Sequence, residues 1–261
     1  MIDALLSRPD PVVLLVITLV LSLVSVFIGY VAGARYRGDA DDRQEGAFGL
    51  GQSAIFGLIA LILAFSFSFA AERFEARRAL VVQESISVGD VYARADFLPP
   101  AETTRAHALI REFTQERIGV YQREENPWLG GGPHSEKSAA IQSVLWKQAT
   151  ALHRADPRDL GYARYAEDVD TIGDLIDEQA AAINNHVPAP IFGIVIFCTL
   201  LGAALLGIAF GRAKAPNRGL SIIFCLLFAA TVYTIVDLDH PRGGLIHIDE
   251  RPLQNALASM R

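Results

Sequence analysis

Four apolar segments without one Asp, Glu, Lys, Arg or His, arranged as two hairpins around a polar insert, constrain this chain most. They cover residues 11–34, 50–71, 190–211 and 219–236. Each approaches the ~20 residues with which a helix crosses ~30 Å of hydrocarbon. The insert, 72–189, is as charged as the segments are not. The expectation is an all-α integral membrane protein. A first hairpin occupies residues 1–71, a helical domain 72–189, a second hairpin 190–236 and a tail 237–261.

The first segment resembles a secretory signal only in Ala32-Gly33-Ala34. Its apolar stretch, 12–28, exceeds the usual ~7–15 residues, and Asp3 and Asp10 oppose Arg8 in its leader. Gly29-x-x-x-Gly33, like Gly207-x-x-x-Gly211 in the third segment, fits close packing of membrane helices instead. Four crossings put both termini and the insert on one side. Basic residues do not say which. Arg35, Arg37, Arg43, Arg212, Lys214 and Arg218 on the loop side are matched by Arg8, Arg73, Arg77, Arg78, Arg242 and Arg251 on the other.

A net charge of −6, with 13 Lys and Arg against 19 Asp and Glu inside the insert, argues against a nucleic-acid partner, which needs a clustered basic face. The partners to expect are the bilayer, further copies of the chain and inorganic ions. Cys198 and Cys225 lie inside apolar segments and read as small buried hydrophobes rather than a disulfide or a metal site. None of the six histidines forms the two-histidine helix of a zinc protease. Gly130–Gly132 precedes a proline rather than a helix, so it is a connector. His240 and His247, with Asp239 and Asp249 nearby, read as loop residues. No catalytic residue, cofactor or metal is expected, and the chain is not read as an enzyme.

Helical spacing runs through the insert. No proline interrupts the chain from Glu72 to Leu98, so the second membrane helix is expected to continue into water as one rod. After Pro99-Pro100, Leu109, Phe113 and Val120 mark a second helix. Ile141, Val144, Leu145, Gln148, Ala149 and Leu152 mark a third, between Ser135 and Asp156-Pro157. Val169, Ile172, Ile176, Ala180, Ile183 and Val187 mark a fourth, broken at Pro188 and Pro190. Asp168, Asp170, Asp174, Asp177 and Glu178 make that fourth helix acidic.

The spans carry hydroxyls and one amide but no charge, which disfavours a proton-coupled pump and leaves an apolar pore or an anchoring bundle. The second span narrows this. Leu58, Ile62, Phe65 and Phe69 follow i, i+4, i+7 and i+11, and so share one stripe, with Ser66 beside it. From spacing alone, that stripe serves equally as a ring around an axis or as packing inside one bundle.

The segment ends Ala71-Glu72-Arg73-Phe74 and continues Arg77-Arg78-Ala79-Leu80-Val81. The tail reads Asp237-Leu-Asp239-His-Pro241-Arg-Gly-Gly244-Leu-Ile246. Both stretches resemble the prokaryotic bestrophin-like proteins, themselves similar to bestrophin ion channels, over nearly the full length and in order. The resemblance implies a homopentamer in the inner membrane, its second helices around a pore, with the insert and both termini cytoplasmic. Leu58, Ile62, Phe65, Ser66 and Phe69 would then line the pore or gate it. Glu72, Arg73, Arg77 and Arg78 would stand at its mouth, and Asp237, Asp239, Pro241 and Gly244 would form the tail motif. Charge leaves the selectivity open: Arg73, Arg77 and Arg78 interleave with Glu72 and Glu75 at the mouth, while the acids of the fourth insert helix, repeated around a vestibule, could favour cations. Calcium-gated bestrophins carry an acidic cluster after the fourth membrane helix, where this chain has only Asp237 and Asp239, so calcium gating is not implied. The alternative is a membrane-anchored sensor or regulatory protein whose helical domain binds a ligand or partner without transport.

Overall fold

The computed structural model describes residues 11–35, 42–122, 135–240 and 245–260. Helices hold all four apolar segments: α1 (Pro11–Arg35), α2 (Asp42–Arg94), α6 (Ala189–Ala213) and α7 (Arg218–Asp239). A 3-10 turn (Ala95–Phe97) ends α2. The insert then supplies α3 (Pro100–Gln122), α4 (Glu136–Ala155) and α5 (Leu160–Asn184), and α8 (Arg251–Ser259) closes the chain. No strand occurs among the described residues. The protein is all-α, with four helices long and apolar enough to cross a membrane.

Several helix ends have a local cause. α2 runs 53 residues because nothing breaks it until Pro99, where Leu98 turns extended. Ser135 caps α4 through the amide of Ser138, and Asp159 caps α5 by accepting from the amides of Gly161 and Tyr162 at 2.7 and 3.1 Å. Asn217 caps α7 the same way, accepting from Leu220. α5 stops at Asn184, so Val187, expected on its apolar face, lies beyond its end.

The chain divides into two units. Residues 1–72 and 187–245 form one, and residues 73–186 and 246–261 form the other. In the first, α1 and α6 touch backbone to backbone. A Cβ built on Gly29 would lie 2.1 Å from the Ala204 carbonyl oxygen, and one on Gly207 would lie 2.1 Å from that of Val26. Gly33 and Gly211 repeat the approach one turn further on, against Ile208 and Tyr30. Small residues four apart let two helices come this close in lipid, where dispersion rather than water drives association. Ser25 Oγ donates to the Leu200 carbonyl at 2.8 Å across the same seam. Around it, Val16, Val20, Val24 and Phe27 of α1 and Leu226 and Leu227 of α7 stay exposed, as a hydrocarbon-facing surface requires.

The second unit has an aqueous protein's core. Val88 and Val91 of α2, Ile110 and Phe113 of α3, Leu145 and Ala149 of α4, and Tyr165, Val169 and Ile172 of α5 are buried together. Met260 joins that core, and Arg111 Nε donates to the Met260 carbonyl at 3.2 Å. The last helix is thus part of the insert's unit, although a membrane hairpin separates the two in sequence.

Candidate functional site

Helix α2 carries most of the expected site. Within the first unit its buried side is Ile59, Leu63, Ser66 and Ala70, at the 3–4 spacing of a packed helix face. The opposite side is open. Leu58 is 57% exposed, Phe65 57% and Phe69 48%, and Ile62 is half-buried at the margin. Two rings one turn apart are therefore presented outward by the chain that carries them, not consumed by its core. Ser66 is placed differently from its neighbours in sequence. It is 3% exposed, and its hydroxyl donates to the Ile62 carbonyl at 2.8 Å, on the packed side of the helix.

The four mouth residues also separate. Glu72 is exposed. Arg73 is partly exposed, with a buried Nε that has no hydrogen-bond partner. Arg78 is exposed and pairs with Glu75 at 3.2 Å on the same helix. Arg77 is 3% exposed, and its guanidinium donates from Nε to the Ala182 carbonyl at 3.0 Å and from Nη2 to the Asn185 carbonyl at 2.9 Å. These are carbonyls a helix leaves unpaired at its C-terminus, so Arg77 acts as the cap of α5 and favours its dipole.

The tail acids are both interior, Asp237 at 1% and Asp239 at 0% exposure. Asp239 accepts the Val187 amide with both oxygens, at 3.0 and 3.2 Å, just before α6 begins. Asp237 accepts the Leu245 amide at 3.1 Å. Each carboxylate thus ties the end of α7 to a backbone N–H, that of Val187 buried and that of Leu245 on an exposed residue; without Asp239 the Val187 amide would be buried unpaired. Pro241 and Gly244 lie outside the described residues.

Three polar groupings that the sequence did not join sit in the second unit. Glu84 and Arg117, both wholly buried, pair at 2.5 Å. Gln179 joins them, donating to Glu84 at 2.8 Å and accepting from Arg117 and from the Tyr121 hydroxyl. Glu84 lies in register with Val81, Val88 and Val91, and a carboxylate in an apolar register is the signal that a partner is buried with it. Tyr165, Gln148 and Glu102 form a second network, which joins α5, α4 and α3. Burial, with the charge of Glu102, pushes the Tyr165 hydroxyl above its ordinary range. The third is an ion pair between Arg94 and Asp168, 2.9 Å apart. None of these arrangements joins a nucleophile to a base.

The comparisons agree with this architecture. A family model, the bestrophin-like domain, matches residues 14–253. No curated protein matches the sequence. A crystal structure of a bacterial bestrophin homolog from Klebsiella pneumoniae with a tryptophan-to-alanine mutation superposes with a TM-score of 0.64 at 16% identity, covering 97% of this chain and 100% of that one. A second structure of a Klebsiella pneumoniae homolog, solved by Zn-SAD phasing, gives 0.60 at 17% identity over 94% and 95%. A crystal structure described as a membrane protein with a glycine-to-alanine change gives 0.68 at 17% identity over 94% and 97%. At these identities the structures establish a shared fold, and the family model, spanning most of the sequence, establishes kinship. The chain is a membrane protein belonging to the bestrophin-like family.

Proposed function

We propose that this protein is an oligomeric ion channel, a homopentamer in the inner membrane, whose pore is lined by α2. The observation that carries the reading is the outward presentation of Phe65 and Phe69 beside Leu58 on the helix that enters the insert's unit. Large rings with no core to fill inside their own chain are suited to meet their copies around an axis. A ring of aromatic side chains narrows such a path and closes it by dewetting, without a charge in the membrane. Family membership favours that arrangement over a lipid-facing one. The insert and both termini are then cytoplasmic. Glu72 stands at the mouth, with Arg73 beside it and Arg78 partly neutralised by Glu75. Arg77 serves the mouth indirectly, by holding α5 against the pore helix. The exposed acids Asp170, Asp174, Asp177 and Glu178 make cations the preferred ions.

The test is electrical and begins with a subunit count in mild detergent. Phe65→Ala combined with Phe69→Ala should assemble as the wild type does and give larger or more persistent currents in planar bilayers. A double variant that assembles yet conducts no more than wild type counts against the gate. A wild-type protein that forms no ring removes the channel and leaves the sensor reading.

A further inference from the structure

Asp168 of α5 is held unlike the acids around it. Its side chain is only 15% exposed, while Asp170 and Asp174 on the same helix lie open to solvent. One oxygen, Oδ1, accepts from Arg94 Nη1 of α2 at 2.9 Å. The other, Oδ2, is buried and has no hydrogen-bond partner. An ionised carboxylate with one oxygen dry and unpaired is an expensive arrangement, because a buried acceptor forfeits its hydration without replacement. A proton on that oxygen removes the charge that makes it expensive.

Arg94 has somewhere else to go. Asp90 lies four residues earlier on α2, one turn away on the same face, and is exposed. An acid four residues before a base is the favourable order for an ion pair along a helix. Arg94 therefore has two carboxylates in reach, one on its own helix and one on α5. We propose that Asp168 is a proton-accepting site whose protonation transfers Arg94 from α5 to Asp90, so that a proton exchanges an interhelical tie for an intrahelical one. The surrounding charges agree with this. Burial lifts the Asp168 carboxyl above its ordinary range, Asp90 and Glu167 add to the lift, and Arg94 and Arg164 oppose it. In the 3-10 turn, Asp96 is engaged elsewhere, 3.4 Å from His107 of α3. The exchange needs neither an ion pathway nor an assembly, and so stands apart from the channel reading. Its consequence is that the grip of α5 on the long helix depends on pH.

An acid titration of the full-length protein in detergent, following the infrared band of protonated carboxyl groups, reads the site directly. Subtracting the Asp168→Asn titration from that of wild type should leave one group, with a midpoint above that of an exposed aspartate. Asp90→Asn should shift the midpoint to lower pH, since it removes both a repelling charge and the alternative partner of Arg94. Arg94→Gln should shift it to higher pH, since it removes the attracting charge. His107→Asn should leave it in place. A midpoint within the ordinary aspartate range, or one that Asp90→Asn leaves where it was, overturns the proposal. A carboxyl difference that shifts or vanishes in His107→Asn makes the titration depend on that histidine rather than on Arg94 and Asp90, and overturns the proposal equally.

Discussion

Substituting Gly207 by alanine adds one methyl group where the structure has no room for it. Its Cβ would sit 2.1 Å from the Val26 carbonyl oxygen and 2.8 Å from the Tyr30 nitrogen. Both obstacles are helix backbone, which cannot rotate aside as a side chain does. Cβ contacts under 3.0 Å are essentially never seen, so α1 and α6 must open by about 1 Å along that stretch. A gap of ~0.5–1 Å forfeits a quarter to a half of the dispersion attraction of every pair it separates, and lipid supplies no hydrophobic force to restore it. Overpacking of this kind costs about 1–3 kcal/mol. At about 2–4 °C per kcal/mol for a chain of this size, Gly207→Ala should unfold several degrees below wild type when thermal denaturation is followed in detergent. The control lies on the same helix. Gly193 would place its Cβ with nothing within 4 Å, so Gly193→Ala should be neutral or stabilise by up to about 1 kcal/mol through helix propensity. The pair Gly29→Ala and Gly207→Ala should cost less than the sum of the two. Once one methyl group has parted the helices, the second finds space already made. Wild-type stability in Gly207→Ala, or strict additivity in the pair, would refute the claim that these glycines set the approach.

The remaining predictions concern charge. Arg117→Met alone leaves Glu84 buried and uncompensated and should destabilise by about 3–5 kcal/mol, whereas Arg117→Met with Glu84→Leu should recover most of that in the same thermal assay. Asp239→Ala strands the Val187 amide and should cost about 1–3 kcal/mol, while Asp170→Asn, at an exposed position, should leave the unfolding temperature unchanged. Arg78→Gln should likewise be silent, its pair with Glu75 being exposed, but Arg77→Gln should lower stability; equal effects at the two positions would contradict the capping role of Arg77. Since burial raises the Asp168 carboxyl in the folded protein, its contribution to stability is complete below the ordinary aspartate range and is lost as pH rises through the raised value. The unfolding temperature of wild type, measured against Asp168→Asn across an acid-to-neutral series, should therefore fall relative to the variant as pH increases.

How far the fold was legible follows from where each constraint resides. A membrane span is dictated segment by segment, since a charge in hydrocarbon is costly, and all four spans could be read directly from composition. The extension of α2 was equally plain, because only Pro99 could end it. Phase about the helix axis is a different matter. Phe65 and Ser66 differ by about 100° of rotation, as do Arg77 and Arg78. Which member of each pair faces inward depends on neighbours that the local sequence does not name. The spacing contained a clue that went unread, for Ser66, Ala70, Arg77, Val81, Glu84 and Val88 recur at intervals of three, four and seven. Two charged residues in that register announce buried partners. Those partners, the end of α5 for Arg77 and Arg117 with Gln179 for Glu84, are distant in the chain and settled only by packing. The exposed face of the same helix shows the complementary limit. In the first unit it is apolar and ringed, in the second it carries Gln83 and Asp90, and no described residue covers either stretch. A surface of that composition leaves open what meets it. That is why the proposed gate has to be tested in the assembled protein.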